Sequence, residues 1–119
     1  MEKCDLRESN GKEILLWLVR KRRRYRVMGD SMWPSLRADD EVLVNMNAYR
    51  RQAPQIGDIV VACHPFQSGL QVIKRIKMVD EAGRYQLLGD NPDPASNSSV
   101  LVPFSLVMGR VTSRFAAIS

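Results

Sequence analysis

Apolar and polar residues alternate in short stretches along most of this chain, and short alternating stretches predict strands. Glu41-Val42-Leu43-Val44-Asn45 is one such stretch, and Gln71 to Val79 is another. Tyr25 to Met28, Arg84 to Leu88 and Leu106 to Phe115 read as further strands, the last with a bulge at Gly109. Asp58 to Cys63 is almost wholly apolar, which predicts a strand buried on both faces. Glu81-Ala82-Gly83 supplies a tight turn, so Gln71 to Val79 and Arg84 to Leu88 form a hairpin. Ahead of the strands the period changes. Asn10 and Glu13 have capping-box spacing, and Ile14, Leu15, Trp17, Leu18 and Val19 predict one short helix ending near Arg20. Together these elements predict a mostly β fold: a compact, partly closed antiparallel sheet or barrel with one short N-terminal helix. The expected division is a helix and basic link over 1–24, then a single globular domain over 25–119.

Composition narrows the class. The chain has 119 residues, enough for one core, with 45% apolar and 26% charged residues. The longest apolar run, Ile14 to Val19, is far short of the about 20 residues a membrane-spanning helix needs. The polar start, Met1-Glu2-Lys3-Cys4-Asp5, lacks the features of a secretory signal, and the expectation is a cytoplasmic protein. Cys4, Cys63 and the single histidine, His64, have no zinc-site spacing, so no metal or other cofactor is expected. Cys63 and His64 are neighbours on one strand and point to opposite faces, which predicts a small core residue at 63 and no nucleophile pair.

The net charge of +5 is local. Arg20, Lys21, Arg22, Arg23, Arg24 and Arg26 hold six of the 18 basic residues, leaving 12 against 13 acidic ones. The cluster reads either as a solvated face that aids solubility or as a surface for an acidic protein partner, an anionic membrane surface or nucleic acid. With no helix-turn-helix and no interleaved aromatics, nucleic acid is not expected.

Two stretches carry chemistry. In Met28-Gly29-Asp30-Ser31-Met32-Trp33-Pro34-Ser35-Leu36, Gly29 permits a left-handed turn and Pro34 blocks a regular strand. Ser31 is thus predicted on a bend, where a nucleophile is accessible. In Gln71 to Val79, alternation puts Val72, Lys74, Ile76 and Met78 on one face. Lys74 is the only cation there, and a desolvated lysine amine loses its proton more easily and can act as a general base. From the pattern alone the competing reading is an ordinary turn serine and a lysine that reaches out at the sheet edge.

The boxes Gly29 to Leu36, Glu41 to Val44, Gly57-Asp58-Ile59-Val60-Val61, Ile73-Lys74-Arg75-Ile76 and Leu88-Gly89-Asp90-Asn91-Pro92 resemble, in order and spacing, those of the signal peptidase I family. The resemblance spans Tyr25 to Phe115. It implies Ser31 as nucleophile, its backbone N–H as one oxyanion donor, and Lys74 as general base. Gly29, Met32, Pro34, Asp90 and Asn91 fall at positions that shape such a site. The short helix, the Arg-rich link and the absence of an anchor are similar to the small branch that trims an N-terminal extension from the precursor of nickel-type superoxide dismutase. That precursor is the implied partner, with Arg20, Lys21, Arg22, Arg23 and Arg24 as its docking surface.

The resemblance is incomplete. The family often has Ser-x-Asp-Ser-Arg after Gly-Asp-Asn, and this chain has Ala95-Ser96-Asn97-Ser98-Ser99. Some members place a serine two residues before the nucleophile, and here Gly29 stands there. Two other readings compete. A self-cleaving repressor of the Ser-Lys type fits poorly: 30 residues precede Ser31, and the only Ala-Gly pair, Ala82-Gly83, follows Lys74. A non-catalytic binding module would keep the β fold and use the basic cluster to dock.

Overall fold

The computed structural model describes residues 22–115. The predicted helix over Ile14 to Val19, its capping box, and the basic residues Arg20 and Lys21 lie outside them. Seven strands form one antiparallel sheet: β1 (Arg22–Arg26), β2 (Glu41–Asn45), β3 (Ile59–Cys63), β4 (Gln71–Val79), β5 (Tyr85–Leu88), β6 (Val100–Val102) and β7 (Val107–Phe115). Their order across the sheet is β1-β2-β7-β3-β4-β5-β6. The mostly β, antiparallel expectation holds. The sheet stays open, with β1 and β6 as its edges. β7 lies in the middle and joins β1 and β2 to the rest.

Side-chain alternation explains the packing. On β3, Val60 and Ala62 face one cluster, with Ile76, Tyr85, Leu87, Val100 and Val102. Val61 faces the other, with Val27, Met32, Leu36, Val42 and Val44. Val60, Val61 and Ala62 have no exposed surface, so β3 is buried on both faces as its composition predicts. Gly109 sits where β7 crosses closest to β2, since a Cβ there would come within 2.7 Å of Asn45 O and Val44 Cγ1. The β3–β7 ladder shifts register beside it, between Val61 and Ala62, which is the expected bulge.

Three expectations need correction. Arg22, Arg23 and Arg24, expected in a link, form the first part of β1 and pair with Asn45, Val44 and Leu43. Their side chains still alternate, with Arg22, Arg24 and Arg26 outward and Arg23 and Tyr25 half-buried. Met78 does not share a face with Lys74. The β4–β5 register shifts between Ile76 and Met78, and this leaves Met78 56% exposed. Finally, Val100–Val102 is a strand that the alternation analysis does not assign.

Candidate active site

The connection between β1 and β2 carries Ser31. Its base is closed by Val27 N–H donating to Asp40 O (2.8 Å) and Asp39 N–H donating to Val27 O (2.8 Å). Asp40, almost fully buried, accepts from Arg37 N–H (2.9 Å) through its carboxylate. Gly29 has φ +76, the left-handed conformation its position predicted, and open space where a Cβ would stand. The demand there is on the backbone alone. Met32 and Leu36 are the loop's apolar roots, 1% and 3% exposed. Leu36 N–H donates to Met32 O (2.9 Å), and the Trp33–Pro34 peptide is cis. Ser31 is half-buried at the start of this turn, between Gly29 and Met32. Among the described residues its own N–H is not used by any bond that ties the loop down.

The loop is held from across the sheet by the segment that follows β5. Asn91 N–H donates to Ser31 O (2.9 Å), and Asn91 Nδ2 donates to Asp30 O (2.8 Å). Ser35 Oγ donates to Asp90 Oδ2 (2.6 Å). Asp90 in turn accepts two bonds from Arg75, Nε to Oδ1 (2.9 Å) and Nη2 to Oδ2 (2.7 Å). The Arg75 guanidinium, with help from Ser35, holds the Asp90 carboxyl below its ordinary value, and Asp90 raises Arg75 in return. Arg75 also donates from Nη1 to Gly57 O (2.7 Å). At Gly89 a side chain would run into Ser31 O, so only glycine lets the loop approach this closely.

Lys74 precedes Arg75 and differs from it in every respect. It pairs with Val60 across the ladder, between Val72 and Ile76 on its own face, and is 6% exposed. No ion pair or hydrogen bond among the described residues holds its amine. Burial alone pushes its pKa below the ordinary 10.5.

Thus Asp90, Asn91 and Ser31 are brought together, and Gly29, Met32 and Pro34 shape the turn. Lys74 lies beside Arg75, the residue that anchors the loop through Asp90. No hydrogen bond joins Ser31 Oγ to Lys74 Nζ. Arg22, Arg23 and Arg24 lie on the edge strand β1, where Arg24 and Arg26 both reach Glu41 (3.1 and 3.7 Å). Sequence reasoning passed over Arg75 and Ser35. The signal for Arg75 was present, since an arginine and an aspartate stand in separate boxes of the same resemblance. Asn97 was noted only as a departure.

Other polar groups have structural roles. His64 Nδ1 accepts from Phe66 N–H (3.1 Å), and its ring meets Phe66 edge-on. Cys63 is buried, as expected of a small core residue. Among the described residues no group of three His, Cys, Asp or Glu side chains could hold a metal ion. No helix among them is long and apolar enough to cross a membrane.

A family model described as signal peptidase, peptidase S26, matches residues 14–79. That span includes both Ser31 and Lys74 and ends before Asp90, Asn91 and Asn97. Comparisons with curated proteins and with solved structures gave no match.

Proposed function

We propose, from the premise that this chain belongs to the signal peptidase family, peptidase S26, that it is a serine endopeptidase using Ser31 as nucleophile and Lys74 as general base. The family supplies the class, a serine protease with a protein substrate. The observation that carries the residue assignment is the Lys74 environment: a cation buried on an apolar face, with no anion among the described residues to pay for its charge. Such an amine is neutral at a lower pH than an exposed lysine and accepts a proton.

In this reading the neutral Lys74 amine takes the Ser31 hydroxyl proton as Oγ attacks the scissile carbonyl. The Ser31 N–H, unused among the described residues, donates to the oxyanion of the tetrahedral intermediate. Lys74 then protonates the leaving amine and the C–N bond breaks, leaving an acyl group on Ser31. Water, deprotonated by Lys74, releases it. Arg75, Asp90, Ser35 and Asn91 hold the loop so that Ser31 does not need to be reordered at each turnover.

The substrate we infer is a precursor protein that loses an N-terminal propeptide, with nickel-type superoxide dismutase precursor as the first to try. This rests on the resemblance alone. The test is to incubate the purified protein with that precursor and read the new N-terminus by mass spectrometry. A single defined cut by the wild type and none by Ser31→Ala supports the proposal. An uncut precursor removes this substrate, and cleavage undiminished in Ser31→Ala removes the nucleophile.

A further inference from the structure

Asn97 stands where the resembling family has an acid, and its side chain is spent on backbone. Its Oδ1 accepts from Gly89 N–H (2.9 Å). Its Nδ2 donates to Gly89 O (2.8 Å) and to Asn91 O (2.9 Å). One neighbour offers a donor and two offer acceptors, so the amide fits in one orientation only. A carboxylate could take the first bond but would face two carbonyl oxygens. The position asks for an amide.

The two residues that Asn97 holds are the ones that meet the nucleophile turn. Gly89 abuts Ser31 O, where no side chain would fit. Asn91 donates from its backbone to Ser31 O and from its side chain to Asp30 O. Asn97 also lines a cavity of about 490 Å³ with Lys77, Asp90, Asn91 and Ser98. With both amide hydrogens committed to carbonyls, it is not free to donate to a ligand there. Its contacts run toward Ser31.

We propose that Asn97 is a positioning residue for the nucleophile: its amide sets the Gly89–Asn91 backbone, and that backbone sets the height and angle of Ser31. The inference rests on the reading of Ser31 as nucleophile. It turns the substitution of asparagine for the family's acid into a working part of this site.

The test uses the full chain and a peptide drawn from a randomised decapeptide pool by wild-type cleavage. Asn97→Asp keeps the size and removes both donors. At pH 8 its kcat is expected to fall roughly 100-fold, the scale of a displacement near 1 Å, with KM within about twofold of wild type. As pH falls and the introduced carboxyl takes a proton, one donor returns, and the ratio of variant to wild-type kcat rises. A merely structural role would not give a pH-dependent recovery confined to kcat. Melting temperatures and far-UV circular dichroism report whether the variant is folded, and Asn97→Ser, which restores a single donor, serves as a second variant with intermediate kcat. The inference is overturned if folded Asn97→Asp keeps wild-type kcat at pH 8, or if the ratio does not change with pH. If Ser31→Ala cleaves as fast as wild type, the nucleophile reading falls instead, and the two failures are told apart.

Discussion

Strand β4 puts two cations side by side and treats them oppositely. Arg75 has a carboxylate, a carbonyl and part of the solvent around its guanidinium. Lys74 has Val60, Val72 and Ile76 near its stem and no anion among the described residues. One face of the strand therefore holds, and the other tunes. A paired arginine fixes the segment that carries Asp90 and, through Ser35, the Ser31 loop. A buried lysine carries an unfavourable desolvation that lowers its pKa. Exchanging the two residues would give a well-solvated base and an orphaned loop.

The sharpest break in this comparison removes the tuned cation. Lys74→Met is expected to reduce peptide cleavage roughly 1,000-fold or more, as is Ser31→Ala. Yet Lys74→Met should not destabilise the fold. A lysine whose folded pKa lies below its unfolded one makes the folded state weaker wherever the amine must be charged. That cost is full below the folded pKa, shrinks as pH rises through it, and is gone above the ordinary 10.5. The melting temperature of the variant relative to wild type should therefore be highest at low pH and converge at high pH. The same shift predicts that wild-type kcat rises with pH to a midpoint below 10.5. A kcat profile without an inflection below that value would contradict a desolvated base.

Breaking the held side comes next. Gly89→Ala puts a methyl group against Ser31 O, and kcat is expected to fall roughly 100-fold through displacement of the nucleophile. The measurement is single-turnover cleavage of the selected peptide. Asp90→Asn leaves the Arg75 guanidinium without its anion, and chemical denaturation should show a loss of about 2–3 kcal/mol. Because pairing depresses the Asp90 pKa, its contribution is present above the unfolded carboxylate value and is lost as pH falls through the folded one. The stability gap between variant and wild type should therefore close in acid.

The smallest effect is expected on β1. Arg24 and Arg26 share Glu41 at the surface, and exposed pairs contribute about 0–1 kcal/mol. Arg22→Gln with Arg24→Gln should leave the melting curve nearly unchanged. If the strand steers an acidic precursor, kcat/KM for the full precursor should fall about threefold to tenfold at low salt. The loss should shrink as salt shortens the screening length to about 8–10 Å, and short peptides should be less affected. Equal losses on both substrates would assign these arginines to the fold.

Much of this architecture was legible where side chains alternate over five or more residues. The bounds of β2 and β4 follow from Glu41 to Asn45 and Gln71 to Val79. Strand β1 was harder, because an arginine stem covers apolar surface while its head reaches water. A strand of arginines therefore shows no apolar period. Strand β6 has three residues, too few for a period to be seen. The slip that exposes Met78 comes from pairing with β5, which no single strand encodes. At the candidate site, the turn around Ser31 and the burial of Lys74 could be anticipated, the first from Gly29 and Pro34 and the second from the alternation of β4. The use of Asn97 could not, since it depends on where the carbonyls of Gly89 and Asn91 point.

The place of β7 in the sheet has a consequence for the order in which the fold closes. Ser31 stands between β1 and β2, and Lys74 stands on β4, but in the ladder these two groups meet only through β7. Phe115 pairs with Glu41 and Arg110 with Val60, so a strand late in the chain closes pairings with residues made much earlier. Contacts so distant in sequence form slowly and late. The Ser31 turn is already tied to the strand of Lys74 through Arg75, Asp90, Ser35 and Asn91, and what β7 adds is the ladder that runs between them. The continuous sheet beneath the site is therefore complete only once residues 107–115 are in place.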